Sequence, residues 1–525
     1  MADGAEEHTA ALWRAYRLAR SVQAAAPGTS EALGEAEETA RARGWADVER
    51  ALVFCRAIER WFRGEGDVLA AVETLIERSR AEGDHVLLAL GLALRSNPAF
   101  CGSGHAGVVG ENADLARAVV LLEQPGGHLL GRIAAHTACG IAFATRWLFE
   151  LCDEQYAAAL ALGAGARGAL DFALAPVLFN RAETQVFWAS LLRQLGDHAG
   201  VAERRRAWQE LAAEAEEPVA AVGPWGRELH SLGLLLAAIA GEDVGDDATG
   251  ELAALGEDTS RTALVLALAE AVSDENAGRS AEQSVGRARR LLGKASDPFV
   301  ELLVAYLGAR VEAPGADGAG LAYAHRVLGL HWEARSAALE AMRARLETER
   351  LATEREELSR HARLDDLTGV GNRRALAQYL EQVGARGVAA IGLVLIDVDA
   401  FKEVNDRHGH LAGDAVLQRV AQLLERSVRP TDLVVRLGGD EFAVVLADAD
   451  APAALACAER VLEQLAEERF ADVAPGLSVA LSVGAAAGAA GDVRALFAAA
   501  DAALYRAKAG GGTAVGAGVV ACATA

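Results

Sequence analysis

The 525-residue sequence lacks the features of several large protein classes. Lysine and arginine number 51 against 74 aspartates and glutamates, and the formal net charge of −23 argues against a general nucleic-acid-binding surface. Apolar runs such as residues 86–94 reach about nine residues, whereas a membrane-spanning helix needs about 20. The first residues, MADGAEEHTA, are acidic and contain no apolar segment, so no secretory signal is expected. We therefore expect a cytoplasmic protein that binds neither nucleic acid nor membrane.

Cysteine and aromatic residues are also scarce. The six cysteines include no Cys-x-x-Cys pair, and aromatic residues make up 5% of the chain. Scattered single cysteines are typical of reduced, buried thiols rather than of a disulfide framework or a zinc site. Hydrophobic residues nevertheless make up 52% of the sequence, which is too many for a disordered chain. The length predicts about two to four domains with sizeable cores.

Residues 1–330 carry a helical pattern. They are rich in Ala, Leu, Arg and Glu, and their apolar residues recur at three- and four-residue spacing between short turns of Gly, Asp, Asn or Pro. The recurring unit resembles a tetratricopeptide-type helical repeat, although no strict period carries the full consensus. An irregular helical bundle is the alternative. We expect an all-α region that senses or binds something, such as a protein or peptide ligand, and no motif selects among ligands.

Residues 331–362 contain neither Gly nor Pro and alternate Glu with Arg, which predicts one continuous helix. Leu339, Met342 and Leu346 fit the a and d positions of a coiled coil. Leu351 and Leu358 are out of phase with them, and a two-stranded coiled coil with a stutter explains the break. A single solvated helix held by ion pairs is the alternative.

Residues 363–515 alternate between strand and helix patterns. Strands are predicted at 391–399, twice within 432–448, and at 477–486, and helices at 411–428, 452–468 and 493–509. The β-α-β-β-α-β order predicts an α+β domain of the ferredoxin-like or palm type, with an antiparallel sheet and helices on one face. Residues 516–525 are expected to form a tail.

Carboxylates are predicted to meet at one edge of this sheet. Asp397 and Asp399 end the first strand, and Asp440 and Glu441 lie in the turn of the central hairpin. Such a cluster is costly unless a divalent cation neutralises it, and oxygen ligands suit Mg²⁺ or Mn²⁺. The two glycines before Asp440 would let a phosphate group approach the backbone. The pattern favours metal-assisted phosphoryl or nucleotidyl transfer, and an ordinary Gly-Gly turn with solvated acids is the alternative.

Five motifs in order give the same region a specific resemblance. They are LDDLTGVGNRR (364–374), LIDVDAFKEVND (395–406), HGHLAGD (408–414), RLGGDEF (436–442) and DAALYRAK (501–508). In these motifs the chain resembles the GGDEF family of diguanylate cyclases. The resemblance implies that two GTP molecules are condensed into cyclic di-GMP by two facing domains of a homodimer.

The resemblance also implies roles for individual residues. The implied metal ligands, for Mg²⁺ or Mn²⁺, are Asp397, the carbonyl of Val398, and Asp440. The implied base is Asp440 or Glu441. The implied substrate contacts are Asn405 and Asp414 at the guanine, and Lys402, His410, Gly438, Gly439 and Lys508 elsewhere on the nucleotide. For His410, an exposed position at a helix start is the alternative.

A second site is implied upstream of the hairpin. Arg429 and Asp432 match the family's RxxD inhibitory site for cyclic di-GMP, and Arg460 is expected to be a secondary contact. One departure from the family pattern concerns the phosphates, because Gly512 and Thr513 stand where Arg and Asn are usual. Loss of a bidentate Arg–phosphate contact costs about 1.5–3 kcal/mol.

Two functions follow from these observations. The first is a diguanylate cyclase with product inhibition, regulated by its helical N-terminal region. The alternative is a catalytically weak or inactive domain that acts as a cyclic di-GMP receptor and protein-interaction scaffold.

Overall fold

The computed structural model describes residues 2–23, 26–64, 67–98, 108–164, 169–220, 225–256, 260–292, 298–312, 319–386, 388, 390–490, 492–509 and 514–519. The chain divides into two compact units, Met1–Leu351 and Ala352–Ala525. No helix among these described segments is both long enough and apolar enough to cross a membrane.

The described elements of the first unit are all helices, which confirms the all-α prediction. They are α1 (Ala2–Gln23), α2 (Thr29–Arg43), α3 (Ala46–Arg63), α4 (Val68–Ala81), α5 (His85–Ser96), α6 (Val108–Glu123), α7 (Leu129–Ala144), α8 (Phe149–Gly163), α9 (Asp171–Gln194), α10 (His198–Ala220), α11 (Trp225–Ile239), α12 (Gly245–Leu255), α13 (Arg261–Asn276), α14 (Glu282–Leu291) and α15 (Pro298–Glu312). The turns explain where several helices begin and end. Gly44 and Gly64 end α2 and α3 at φ 67° and 64°, and the carboxylates of Asp67 and Asp84 cap α4 and α5.

The cysteines of this helical region are buried thiols. Cys55, Cys139 and Cys152 lie in the core without disulfide partners. Burial raises the pKa of each thiol to about 12, so the thiolate, which is the reactive form, is suppressed. The predicted buried thiols are therefore present, while Cys101 and Cys522 lie outside the described residues.

A single helix of 43 residues, α16 (Ala319–His361), begins in the first unit and ends in the second. It confirms the predicted continuous helix. Leu339, Met342 and Leu346, the proposed seam, are buried in a core cluster with α1–α9 of the same chain. Leu351 and Leu358 are exposed. The seam residues therefore have a partner within their own chain.

The second unit contains a five-stranded sheet. Its elements are α17 (Arg373–Ala385), β1 (Ala390–Val398), α18 (Phe401–His408), α19 (His410–Arg426), β2 (Leu433–Gly438), β3 (Glu441–Ala447), α20 (Ala451–Glu467), β4 (Leu481–Ala489), α21 (Val493–Ala509) and β5 (Ala514–Val519). The strand order is β2-β3-β1-β4-β5, antiparallel except for the parallel pair β4–β5.

Helices cover both faces of this sheet rather than the one face expected. One apolar cluster joins the sheet to α18, α19 and α20. A second cluster joins the opposite face to α17 and α21. The α+β architecture is confirmed, and it adds α17, α18 and β5 to the predicted elements. The two-sided packing fixes both the end of β1 and the β2–β3 hairpin, which lie at the same edge.

Candidate functional site

The end of β1 and the β2–β3 hairpin meet through the backbone. Asp397 of β1 pairs with Glu441 of β3 in the antiparallel register. One residue on, the Val398 N–H donates to the Asp440 carbonyl at 3.2 Å. The structure therefore brings together the three residues expected to bind a metal, with Glu441 beside them. Glu441 is exposed and Asp440 half-buried.

Two glycines form the tip of the hairpin, and hydrogen bonds from Arg436 hold the tip in position. Gly438 and Gly439 have φ values of 147° and 57°, which side-chain-bearing residues rarely adopt. Arg436 donates from Nε and Nη2 to the Gly439 carbonyl at 3.0 and 2.7 Å, and from Nη1 to Asp365 Oδ1 at 2.9 Å. Arg436 lies in the motif RLGGDEF and Asp365 in the motif LDDLTGVGNRR, but the sequence analysis predicted no role for either residue. Through these hydrogen bonds they hold the hairpin in position.

Asp397 is a buried carboxylate with a lysine beside it. Burial raises its pKa and the charge of Asp440 adds to the rise, while Lys508, whose Nζ lies 2.7 Å from Asp397 Oδ2, opposes it. Lys508 therefore lies at the carboxylate cluster, within the region expected to hold the phosphates. Gly512 and Thr513, the positions that depart from the family pattern, lie outside the described residues.

The carboxylate cluster fits a hard divalent cation. Asp399 accepts a hydrogen bond from Ser482 Oγ at 2.7 Å through Oδ1, while its Oδ2 is buried with no hydrogen-bond partner among the described residues. Within the described part of the chain, no three His, Cys, Asp or Glu side chains form a preassembled metal cluster. Two carboxylates, Asp397 and Asp440, and the carbonyl of Val398 are the remaining donor set. Oxygen ligands of this kind suit Mg²⁺ or Mn²⁺.

The two residues expected to recognise guanine lie on consecutive helices, Asn405 in α18 and Asp414 in α19. The Oδ1 atom of Asn405 occupies the place where a Cβ on Gly413 would stand. Asp414, half-buried, follows Gly413 directly in α19. A glycine at position 413 is therefore what allows Asn405 to lie against α19.

The other expected nucleotide contacts are exposed. Lys402 lies on α18, and His410 is the first residue of α19, immediately after Gly409 at φ 86°. The N-terminus of α19 carries the partial positive charge of the helix dipole. His410 therefore occupies the exposed helix start that was the alternative for it, and this position is open to a ligand.

The residues of the expected inhibitory site lie around the loop between α19 and β2, which several hydrogen bonds hold in place. The Asp432 carboxylate accepts hydrogen bonds from the Arg429 and Ala447 N–H groups at 3.0 and 3.3 Å. Arg460 donates from Nε to the Ser427 carbonyl at 2.8 Å. Arg429 is exposed. The structure thus places both arginines at the loop that enters β2.

Comparison with known proteins matches residues 362–514 to the family described as "Diguanylate cyclase, GGDEF domain". Diguanylate cyclase DgcS of Shewanella oneidensis is 35% identical over 30% of this chain and 54% of its own length. Response regulator PleD of Caulobacter vibrioides is 40% identical over 29% of this chain and 35% of its own.

Solved structures also match this part of the chain. The coiled coil and GGDEF domain of DgcB from Caulobacter crescentus, in complex with c-di-GMP, is 31% identical. The match covers 36% of this chain and 99% of that one, with a TM-score of 0.31. The chain spans between 21% and 54% of the length of the first curated relatives it matches.

Proposed function

Because residues 362–514 belong to the GGDEF domain family of diguanylate cyclases, we propose that the chain condenses two GTP molecules into cyclic di-GMP. In each half-reaction a 3′-hydroxyl oxygen bonds to the α-phosphorus of the other GTP, the bond to pyrophosphate breaks, and the hydroxyl proton is transferred to a base. Each domain holds one GTP, so two copies of the chain must face each other. The single observation that supports the proposal best is the contact between the end of β1 and the hairpin at Asp440.

The carboxylate cluster provides the electrostatics of this reaction. Asp397, Asp440 and the Val398 carbonyl are the proposed ligands of Mg²⁺ or Mn²⁺, and a bound ion stabilises negative charge on the triphosphate. Lys508 adds a point charge at the same place. One of Asp440 and Glu441 accepts the proton of the 3′-hydroxyl.

Asn405 and Asp414 are the proposed guanine contacts. A carboxylate accepts hydrogen bonds from the ring N–H and the amino group of guanine, whereas an amide both donates and accepts. Adenine offers a different donor and acceptor pattern. The pair therefore supports selection of GTP over ATP.

Product inhibition and regulation complete the proposal. Cyclic di-GMP is an anion, and two arginines, Arg429 and Arg460, lie at the corner that enters β2, where the Arg429 N–H donates to Asp432. A product bound there would contact the loop that enters β2, whose far end carries the hairpin. The helical region of residues 1–330 is the proposed sensor, and its ligand would set the activity.

Incubation of the purified full chain with GTP and Mg²⁺, followed by chromatography for cyclic di-GMP, tests the activity. Asp440→Ala should abolish product formation, because it removes a ligand and a candidate base. Glu463→Ala is the matched control, since it removes an exposed carboxylate from α20 and should leave turnover unchanged. Unconsumed GTP with a folded, dimeric wild-type chain would contradict the proposal.

Calorimetry with cyclic di-GMP tests the inhibitory site separately. Arg429→Ala should remove binding and relieve inhibition at high product concentration, because the guanidinium group is lost. The backbone N–H that donates to Asp432 is retained, so the loop itself should keep its structure. Unchanged affinity in this variant would show that the product binds elsewhere.

A further inference from the structure

Three helices of the first unit, α11, α12 and α13, surround an open cavity that lies outside the carboxylate site. Its volume is about 330 Å³, and small-molecule sites measure about 300–1,000 Å³, so the cavity suits a small ligand. On each helix the lining residues are three or four positions apart, which puts them on one face. The pairs are Arg227 and His230 on α11, Glu251 and Leu255 on α12, and Thr262 and Leu266 on α13.

Polar contacts outside the cavity fix its walls relative to one another. Arg261, at the start of α13, pairs with Glu183 of α9 and, at 2.6 Å, with Glu228 of α11. The Thr249 hydroxyl of α12 lies 2.8 Å from the Glu270 carboxylate of α13. None of these side chains lines the cavity. A ligand can therefore enter a preformed site, and a preformed site costs less ordering on binding.

Two leucines form the apolar part of the lining. Leu266 is buried in the core of the helical region, and Leu255 is half-buried and packs against that core. The described residues that line the cavity include no aromatic side chain. A branched aliphatic group of a few carbon atoms can lie on the two leucines, where burial of its apolar surface favours binding.

The polar part of the lining contains one positive and one negative side chain. Within the described part of the chain, the Arg227 guanidinium forms no ion pair or hydrogen bond. Glu251 Oε1 lies 4.0 Å from His230 Nε2, which is beyond hydrogen-bond distance. Glu251 would repel a purely anionic ligand, and Arg227 would repel a purely cationic one. A ligand that carries both charges suits both side chains.

We propose that this cavity binds a small zwitterion with an apolar side chain, of the class of the aliphatic α-amino acids. The ligand's carboxylate lies at Arg227, whose guanidinium matches a carboxylate in shape and charge. Its ammonium group lies at Glu251, its side chain lies on the two leucines, and the Thr262 hydroxyl can donate to the carboxylate. The cavity belongs to the proposed sensor region, so a regulatory role for the ligand rests on the proposed function, whereas its binding does not.

Calorimetry of the full chain without nucleotide tests the site, with L-leucine as the probe. Leucine should bind at millimolar concentration or below. Two analogues separate its charges, because 4-methylpentanoate lacks the amino group and 3-methylbutylamine lacks the carboxylate. Each analogue should bind at least about tenfold more weakly than leucine, since one charged contact is lost. A lack of leucine binding, or an analogue that binds as tightly as leucine, would overturn the inference.

Two substitutions assign the contacts to this cavity. Arg227→Ala should raise the dissociation constant of leucine at least about tenfold. Glu251→Gln should weaken leucine by a similar factor but should not weaken 4-methylpentanoate, because that analogue has no ammonium group to lose. Arg290→Ala and Glu282→Gln, at exposed positions of α14, are the matched controls and should leave the constant unchanged. Wild-type affinity for leucine in either cavity variant, or an equal loss in the controls, would overturn the inference.

Turnover of GTP with and without leucine tests the regulatory role separately. Saturating leucine should change the rate of cyclic di-GMP formation at least about fivefold, and Arg227→Ala should remove this response. An unchanged rate in a chain that binds leucine would refute the regulatory role. A chain that binds leucine but leaves GTP unconsumed would contradict the proposed cyclase activity alone.

Discussion

A glycine in α19 offers a sharp test of the guanine site. Replacing Gly413 by alanine places a methyl group where Asn405 Oδ1 now lies, so the Asn405 side chain must turn away. The helix itself tolerates the change, because Gly413 has an ordinary helical backbone and alanine is favoured over glycine in helices by about 1 kcal/mol. We therefore expect a loss of GTP recognition without a loss of stability.

The size of the effect follows from the hydrogen bonds of one amide. An Asn side chain that donates and accepts once each contributes about 0.5–1.5 kcal/mol per bond. Losing both corresponds to a fall in kcat/KM for GTP of about fivefold to 150-fold. The thermal midpoint should stay equal or rise by about 2–4 °C.

Two controls separate this mechanism from a general disturbance. Gly384→Ala, in α17, adds a methyl group with no atom within 4 Å and should stabilise the chain without changing kcat/KM. Asn405→Ala should reproduce the loss, and adding Gly413→Ala to it should change kcat/KM by less than about twofold, since the two changes act on one contact. Additive losses in the double variant, or wild-type kinetics in Gly413→Ala, would refute the reasoning.

Three further outcomes are expected. Arg436→Lys loses the fork that holds the Gly439 carbonyl and should lower kcat at least about tenfold; a kcat within twofold of wild type would contradict this. Burial raises the pKa of Asp397, so the folded state loses stability as pH rises through that pKa. Asp397→Asn should therefore raise the Mg²⁺-free melting temperature more at pH 8 than near pH 4. A gain in melting temperature that does not depend on pH would contradict this prediction. Gly484→Ala would place its Cβ against the backbone of α21 and should destabilise by about 1–3 kcal/mol in urea, whereas an unchanged midpoint would exclude the close approach.

Long, strongly patterned segments were predictable from the sequence. The last helix was predicted at 493–509 and is observed as Val493–Ala509, and the apolar run 391–399 is β1, observed as Ala390–Val398. In each case the local pattern and the burial agree, so little tertiary information was needed.

Elements that depend on their neighbours were not predictable. Strand β5, AVGAGV, has no alternation of polar and apolar residues and is a strand because it pairs with β4. Helix α18 has eight residues and begins after Ala400 at φ 52°, a conformation that an alanine rarely adopts. Such features are set by packing rather than by propensity.

The candidate site was predictable only in part, because some of its residues depend on contacts that the sequence does not show. Motif positions located Asp397, Asp440 and Asn405, but the sequence could not show that Arg436 holds the hairpin, because an arginine before a turn is ordinarily solvated. In α16 the spacing of Leu339, Met342 and Leu346 was visible in the sequence. Packing on helices of the same chain and pairing with a helix of a second copy require the same spacing, however. Only the burial of Leu339 distinguishes them.

The hydrogen bonds of Asp365 have a mechanical consequence. Asn372 Nδ2 donates to the carbonyls of Ala362 and Leu364, just beyond the end of α16. Asp365, the next residue, accepts from Arg436, which also holds the Gly439 carbonyl. The Gly438–Gly439 turn is thus linked to the residues that follow the long helix through the side chains of Arg436 and Asp365. A displacement at the end of that helix would therefore be passed to the turn through hydrogen bonds of side chains.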